Sequence, residues 1–131
     1  MAVAYRRPGG CFGAGGCGRL VFLFSKNERY FYDHEAIKEP ALDKKQKSKN
    51  RRTVWNINTE PYAGAHFAVY PRQLAALCIL AGSKPRDRVL DPFFGSGTTG
   101  IACNELDRFC TGVELNKDFA KLAEERLRFG R

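Results

Sequence analysis

The twelve residues Val89 to Gly100, "VLDPFFGSGTTG", constrain the chain more than any other segment. A short apolar run, "RVLD", meets a turn built on Gly95, Gly97 and Gly100, and helix-compatible residues follow to about Leu106. Such a turn joins a strand to a helix and lets backbone amides approach a ligand with no Cβ in the way. Further on, "FCTGVEL" reads as a second buried strand. Asn116 is placed to cap a last helix whose apolar face is Phe119, Leu122, Ala123 and Leu127, at i, i+3, i+4 and i+8. Strand, glycine turn, helix, strand, helix is a β-α-β-α unit. The expected class is therefore α/β, with parallel strands.

Three chemistries share this signature. Asp91-Pro92-Phe93-Phe94 has the outline of a catalytic Asp-Pro-Pro-aromatic loop with one proline lost. Gly95-Ser96-Gly97-Thr98-Thr99-Gly100 is formally the G-x-G-x-x-G of dinucleotide sites. Asp-Pro-Phe-Phe and the glycines together resemble the first cofactor motif of methyltransferases that use S-adenosylmethionine. Glu114 closes the next strand, where a carboxylate accepts hydrogen bonds from both hydroxyls of a ribose. Both nucleotide cofactors want that acid, so it does not separate them. The late position of the loop, the Asp-Pro-Phe-Phe lead and the two threonines favour S-adenosylmethionine, with Asp91 facing a sulfonium or receiving the ligand's amino group. An NAD site would use its third glycine for tight helix packing and would usually open the domain. A tight turn with a capping Ser and no ligand is the structural alternative.

Upstream, the Gly-rich segment 8–18 is costly to hold in a regular element. "LVFLFS" and "RYFYD" flank "KNE" and read as a β-hairpin, Leu20 to Asp33. "KKQKSKNRR" then places Lys44, Lys45, Lys47, Lys49, Arg51 and Arg52 within nine positions, the mark of a flexible cationic loop. "TVWNINT" looks extended. "PRQLAALCILAG" is helical, with Pro71 in the first turn, Leu74, Leu77 and Cys78 on one face, and Gly82 as the stop. The organisation expected is a Gly-rich segment 1–19 and a domain 20–131. The latter comprises the hairpin 20–33, the basic loop 34–53 and a cofactor-binding half 54–131.

The 131 residues amount to one domain, and ten Phe, five Tyr and one Trp supply a core. A net charge of +8 favours a polyanionic partner, because Lys and Arg displace counterions from phosphates. Five cysteines show no C-x-x-C pair and no His at ligand spacing, so no metal is expected. Cys78, Cys103 and Cys110 sit in burial-prone settings, as reduced thiols of a cytoplasmic protein do. The first ten residues carry two arginines with no apolar run behind them, so no signal peptide is expected. No segment approaches the ~20 apolar residues of a membrane span.

"HFAVYP" (His66 to Pro71), "AGS" (Ala81 to Ser83), "VLDPFFGSGTTG" and "GVELN" (Gly112 to Asn116) resemble, in this order, the C-terminal half of beta-class site-specific DNA amino-methyltransferases. The hairpin region and "HEAIKEP" resemble the segment just upstream in those enzymes. The resemblance covers roughly Leu20 to Leu127 and is most specific from His66 to Asn116. It implies part of a Rossmann-like S-adenosylmethionine-dependent methyltransferase fold, with S-adenosyl-L-methionine as cofactor and double-stranded DNA as substrate, in a prokaryotic cell or a phage. It also implies roles residue by residue. His66, Phe67 and Ala68 match the segment lining the methionine side of the cofactor. Asp91, Pro92, Phe93, Gly95, Ser96, Gly97 and Thr98 match the glycine loop. Glu114 matches the ribose acceptor, with Leu115 and Asn116 beside the adenine. His66 is read as shaping the pocket and not as moving a proton. Phe67 and Phe93 serve equally well as core, and Trp55 reads as core.

Family members hold the target amino group with an Asp- or Ser-Pro-Pro-aromatic loop and stack its aromatic ring on the flipped base. The six prolines here include no Pro-Pro pair, and Glu60-Pro61-Tyr62 falls in the cofactor-side segment instead. No catalytic residue is therefore assigned. The chain is expected to be the C-terminal portion of such an enzyme, inactive alone and completed by a chain carrying the catalytic half. The absent strands should leave an apolar sheet edge or face exposed. The alternatives are a non-catalytic DNA-binding remnant using the six basic-loop residues and, behind it, a nucleotide-dependent oxidoreductase module.

Overall fold

A computed structural model describes residues 2–6, 20–41, 47–58 and 70–129. The chain divides into two compact units, Met1–Phe31 and Tyr32–Arg131.

In the first unit, β1 (Ala2–Arg6) pairs antiparallel with β2 (Leu20–Phe24), in register from Ala2 opposite Phe24 to Arg6 opposite Leu20. This corrects the hairpin expected over 20–33. Arg29 to Asp33 form no strand, and the partner of Leu20–Phe24 comes from within the segment 1–19. Two physical reasons account for the exchange. Lys26-Asn27-Glu28 has no glycine for the left-handed positions of a tight hairpin turn. Loop-closure entropy also grows only slowly with length, so a distant strand containing Val3 and Tyr5 competes well. Phe22 and Phe24 share a face, with ring centroids 6.2 Å apart, and both are exposed.

In the second unit, α1 (Arg72–Gly82) follows Pro71 and ends at Ser83, whose amide and hydroxyl both donate to the Ile79 carbonyl, at 3.0 and 2.6 Å. The expected single face of Leu74, Leu77 and Cys78 is not how this helix is buried. Ala75 and Ile79 pack with Ala102 and Cys103, while Leu77 and Ala81 pack with Ile37, Trp55 and Ile57. A helix wedged between two clusters carries two apolar sides, and its sequence shows no clean stripe. Trp55 packs on the second of these clusters, as read from the sequence. Near it, β3 (Glu39–Pro40) and β4 (Ser48–Lys49) form a short antiparallel pair.

The β-α-β-α unit is present as expected: β5 (Arg88–Asp91), α2 (Thr98–Glu105), β6 (Phe109–Gly112) and α3 (Lys117–Phe129). The two strands are parallel, with Arg88 opposite Phe109 and Asp91 opposite Gly112. Val89 and Cys110 face Ala75, Ile79, Ala102 and Cys103 of α1 and α2. On the other face Leu90, Phe109 and Val113 are exposed. Parallel sheets are ordinarily covered on both faces. Among the described residues this one is covered on one, and the apolar exposure of Leu90, Phe109 and Val113 is of the kind expected of a partial sheet.

Candidate functional site

The site is built where β5 and β6 end side by side. Pairing of Asp91 with Gly112 sets the glycine loop next to the Glu114 segment. The Phe94 amide donates to the Val113 carbonyl at 2.9 Å, and the Gly95 amide to Glu114 Oε2 at 2.7 Å. Gly95 and Gly97 lie at φ 52 and 81, in the left-handed region where a side chain would be strained. The acid at the second strand end thus grips the loop that leaves the first.

Glu114 is also held from its own side, since Oε1 accepts the Asn116 amide at 2.9 Å. Hydrogen bonds from the amides of Asn116 and Gly95 hold its carboxyl below the ordinary 4.5. It is therefore ionised at neutral pH. Each of its oxygens has spent one lone pair on a backbone amide and retains another for a ligand hydroxyl. Asn116 has a second task. Its side-chain Oδ1 accepts the Asp118 amide at 2.8 Å and its carbonyl the Ala120 amide at 3.0 Å, which caps α3 as the sequence indicated.

Asp91 is more tied down than the sequence indicated. Its Oδ1 accepts the Phe93 amide at 3.0 Å, and its Oδ2 accepts the hydroxyls of Thr99 at 2.5 Å and Tyr70 at 3.4 Å. The Tyr70 hydroxyl has one hydrogen and shares it between Asp91 Oδ2 and the Thr99 hydroxyl oxygen. Burial pushes the Tyr70 hydroxyl up to about 12, so it remains a neutral donor. Neither Tyr70 nor Thr99 was singled out from the sequence. The signal available was their placement, one at the end of "HFAVYP" and the other just past the glycines.

The two phenylalanines of the loop part ways. Phe93 is 87% exposed, so it is not core. Phe94 fills a slot where added Cβ atoms on Gly100 and Gly112 would lie 2.8 and 2.3 Å from its ring. A Cβ on Gly100 would also meet Leu127 at 3.0 Å. The third glycine therefore serves close packing here, and that criterion does not separate an NAD loop from this one. Sequence reasoning missed Phe94, which is half-buried, because adjacent aromatics look alike until one meets its slot.

Around the loop the remaining expected residues are placed as follows. Pro92 is exposed, Ser96 is half-buried, and Thr98 is buried with its hydroxyl lacking a partner among the described residues. Leu115, beside Glu114, is 98% exposed. A buried unpartnered hydroxyl, an ionised carboxylate at a strand end and two bare apolar side chains, Phe93 and Leu115, are what a ligand with ribose, polar and flat apolar parts requires. The residues present fit an adenosyl cofactor. His66, Phe67 and Ala68 lie outside the described residues, as do Lys44, Lys45 and the segment Glu60-Pro61-Tyr62.

The rest of the basic segment is only partly available. Lys49 and Arg51 approach Glu39 at 3.4 and 3.6 Å. Arg51 also donates to the Ile37 carbonyl at 3.0 Å, sits 5.9 Å from the Trp55 ring centre and leaves 12% of its side chain exposed. Lys47 and Arg52 are exposed. The expected flexible loop is thus in part a structured ledge, because Glu39 and Trp55 give two of its cations something to bind. Of the cysteines described, Cys103 is fully buried, and burial pushes Cys78 up to about 11. The Cys110 thiol donates to Cys103, which raises Cys110 and lowers Cys103. Among the described residues no His, Cys, Asp and Glu cluster could hold a metal ion, and no helix is long and apolar enough to cross a membrane.

A DNA methylase family profile, that of N6 and N4 methyltransferases, matches residues 18–125. The chain is 66% identical over 107 residues to the Type II methyltransferase M.SmaI of Serratia marcescens, covering 82% of this chain and 37% of that protein. To the Type II methyltransferase M.Cfr9I of Citrobacter freundii it is 51% identical over 108 residues, covering 82% of this chain and 35% of that protein. The chain thus spans little more than a third of the length of these relatives. Among solved structures, PvuII DNA methyltransferase (cytosine-N4-specific) superposes with a TM-score of 0.67 over 85% of this chain and 40% of that one, at 23% identity. That likeness establishes the fold.

Proposed function

Since the chain belongs to the N6/N4 DNA methylase family, we propose that it is the cofactor-binding portion of a site-specific DNA methyltransferase of a restriction-modification system. It binds S-adenosyl-L-methionine at the loop between β5 and α2. Together with a catalytic half it methylates the exocyclic amino group of adenine or cytosine in double-stranded DNA, in a prokaryotic cytoplasm or on behalf of a phage. The observation that carries this reading is the 2.7 Å bond from the Gly95 amide to Glu114, which makes the glycine loop and the ribose acceptor one unit.

In this reading Glu114 accepts the ribose hydroxyls with the lone pairs its backbone amides leave open. Leu115 and Phe93 flank the adenine, and the Thr98 and Ser96 hydroxyls serve the polar end together with the loop amides. His66, Phe67 and Ala68 line the methionine side. Asp91 sets its charge beside the loop while Tyr70 and Thr99 hold it in place. When bound, the cofactor supplies an electrophilic methyl group. No residue of this chain is assigned to orient the target amino group, because no Pro-Pro-aromatic loop occurs in it. The bare face formed by Leu90, Phe109 and Val113 is where a catalytic half would cover the sheet.

Two measurements test the reading. Calorimetry should show S-adenosylhomocysteine binding to the chain and NAD not binding. With labelled cofactor and DNA, the purified chain should transfer no methyl group until a chain carrying an Asp- or Ser-Pro-Pro-aromatic loop is added. Robust methylation by the 131 residues alone would place the chemistry in Asp91-Pro92 or Glu60-Pro61-Tyr62 and overturn the division of labour.

A further inference from the structure

The glycine loop is held by backbone amides on one side, but its carbonyl side needs another anchor. Residues such as Gly95 and Gly97 impose little steric preference of their own, so the loop's geometry depends on what grips it. The Gly97 amide donates to the Phe94 carbonyl at 2.9 Å. The carbonyl of the same peptide unit, that of Ser96, accepts Arg126 Nη1 at 2.6 Å, and the Ser96 hydroxyl oxygen accepts the same nitrogen at 2.8 Å. Arg126 lies 30 residues away on α3. One turn earlier on that helix, Ala123 is buried so close to the loop that a Cβ on Gly97 would sit 3.0 Å from its own.

We propose that Arg126 is a positioning residue for the cofactor loop, acting through both oxygens of Ser96. The inference rests on the cofactor-site reading above. Nη1 carries two hydrogens, one for each Ser96 oxygen. With its carbonyl bonded to Arg126 and its amide to Phe94, the Ser96–Gly97 peptide cannot rotate without breaking a charge-assisted bond. The hydroxyl is set as well. Because its oxygen receives a hydrogen from Arg126, its own hydrogen points away from the guanidinium and is presented as a donor to an acceptor on the ligand. A helix outside the glycine motif thereby determines how that motif meets the cofactor.

The test uses Arg126→Met and Arg126→Lys, with Arg128→Met as control, since Arg128 is exposed in the last turn of the same helix. In the ligand-free protein, amide exchange at Gly97 should accelerate in Arg126→Met and stay unchanged in Arg128→Met. Affinity for S-adenosylhomocysteine should fall about tenfold in Arg126→Met and less in Arg126→Lys, which keeps the charge and loses the planar fork. In a double-mutant cycle with Ser96→Ala, the combined loss should be clearly smaller than the product of the two single losses, because both remove the bond between Arg126 and the Ser96 hydroxyl. Should Arg126→Met fail to fold, Arg126→Lys replaces it in the same cycle. Unchanged Gly97 exchange, wild-type affinity, or losses that multiply independently would each overturn the proposal. A wild-type chain that binds no S-adenosylhomocysteine while Gly97 exchange still depends on Arg126 defeats the cofactor reading and leaves the positioning role standing.

Discussion

Phe94 and Gly112 occupy each other's space: a Cβ on Gly112 would lie 2.3 Å from the Cγ of the Phe94 ring. The tip of the ring lies against Gly100, where an added Cβ would sit 2.8 Å from Cζ. One aromatic side chain therefore joins the glycine loop, α2 and the end of β6. Gly112→Ala should destabilise the chain by about 1–3 kcal/mol, the usual range for overpacking. Urea unfolding measures this, and Phe94→Leu should recover part of the loss in the Gly112→Ala background. Additive losses in the double variant would show that the two residues do not compete for one space.

Glu114→Gln keeps the shape of the side chain proposed to accept the ribose and removes its charge. Affinity for S-adenosylhomocysteine should fall about ten- to hundredfold with the fold intact. The pH dependence has a definite sign. The folded carboxyl titrates below the ordinary 4.5. Its contribution is thus present above that value and lost as pH falls through the lower, folded one. Affinity that declines between pH 7 and 5 on account of Glu114 would contradict this placement.

Tyr70 should make itself visible at high pH. Its hydroxyl is pushed up from 10.0 to about 12, chiefly by burial. A raised value favours the protonated form in the fold. The associated stability is complete below pH 10 and is lost as pH rises through about 12. Tyrosinate absorbance should therefore include one late step, absent in Tyr70→Phe, and that variant should unfold less steeply between pH 10 and 12. Thr99→Val removes a donor to Asp91 and should weaken cofactor binding.

The basic segment should separate into two kinds of residue. Arg52→Ala or Lys47→Ala removes an exposed charge and should reduce the salt slope of DNA binding by about one unit each, with stability unchanged. Arg51→Ala removes a guanidinium held by Glu39 and the Ile37 carbonyl. It should lower stability by about 1–3 kcal/mol. Binding titrations at several salt concentrations, with thermal unfolding alongside, distinguish the two. Equal behaviour of Arg51 and Arg52 in both assays would remove the distinction.

The local sequence by itself determined the β-α-β-α unit: its order, its parallel strands, the glycine turn, Glu114 at the second strand end and Asn116 as a helix cap. These rest on short-range chemistry, in which glycines permit left-handed backbone, a side-chain oxygen caps a helix, and a crossover helix makes neighbouring strands parallel. What lies far apart along the chain was decided only by the tertiary structure. Strand β2 took Ala2–Arg6 and not Arg29–Asp33, because strand pairing is indifferent to sequence distance once a loop can close. Helix α1 was buried on two sides by clusters whose members come from residues 37 to 110. Phe94 became half-buried and Phe93 surface through a slot made by Gly100 and Gly112, and Arg126 reached Ser96 across 30 residues. Packing depends on which surfaces meet in space, and a single sequence carries that information only through all of its residues at once.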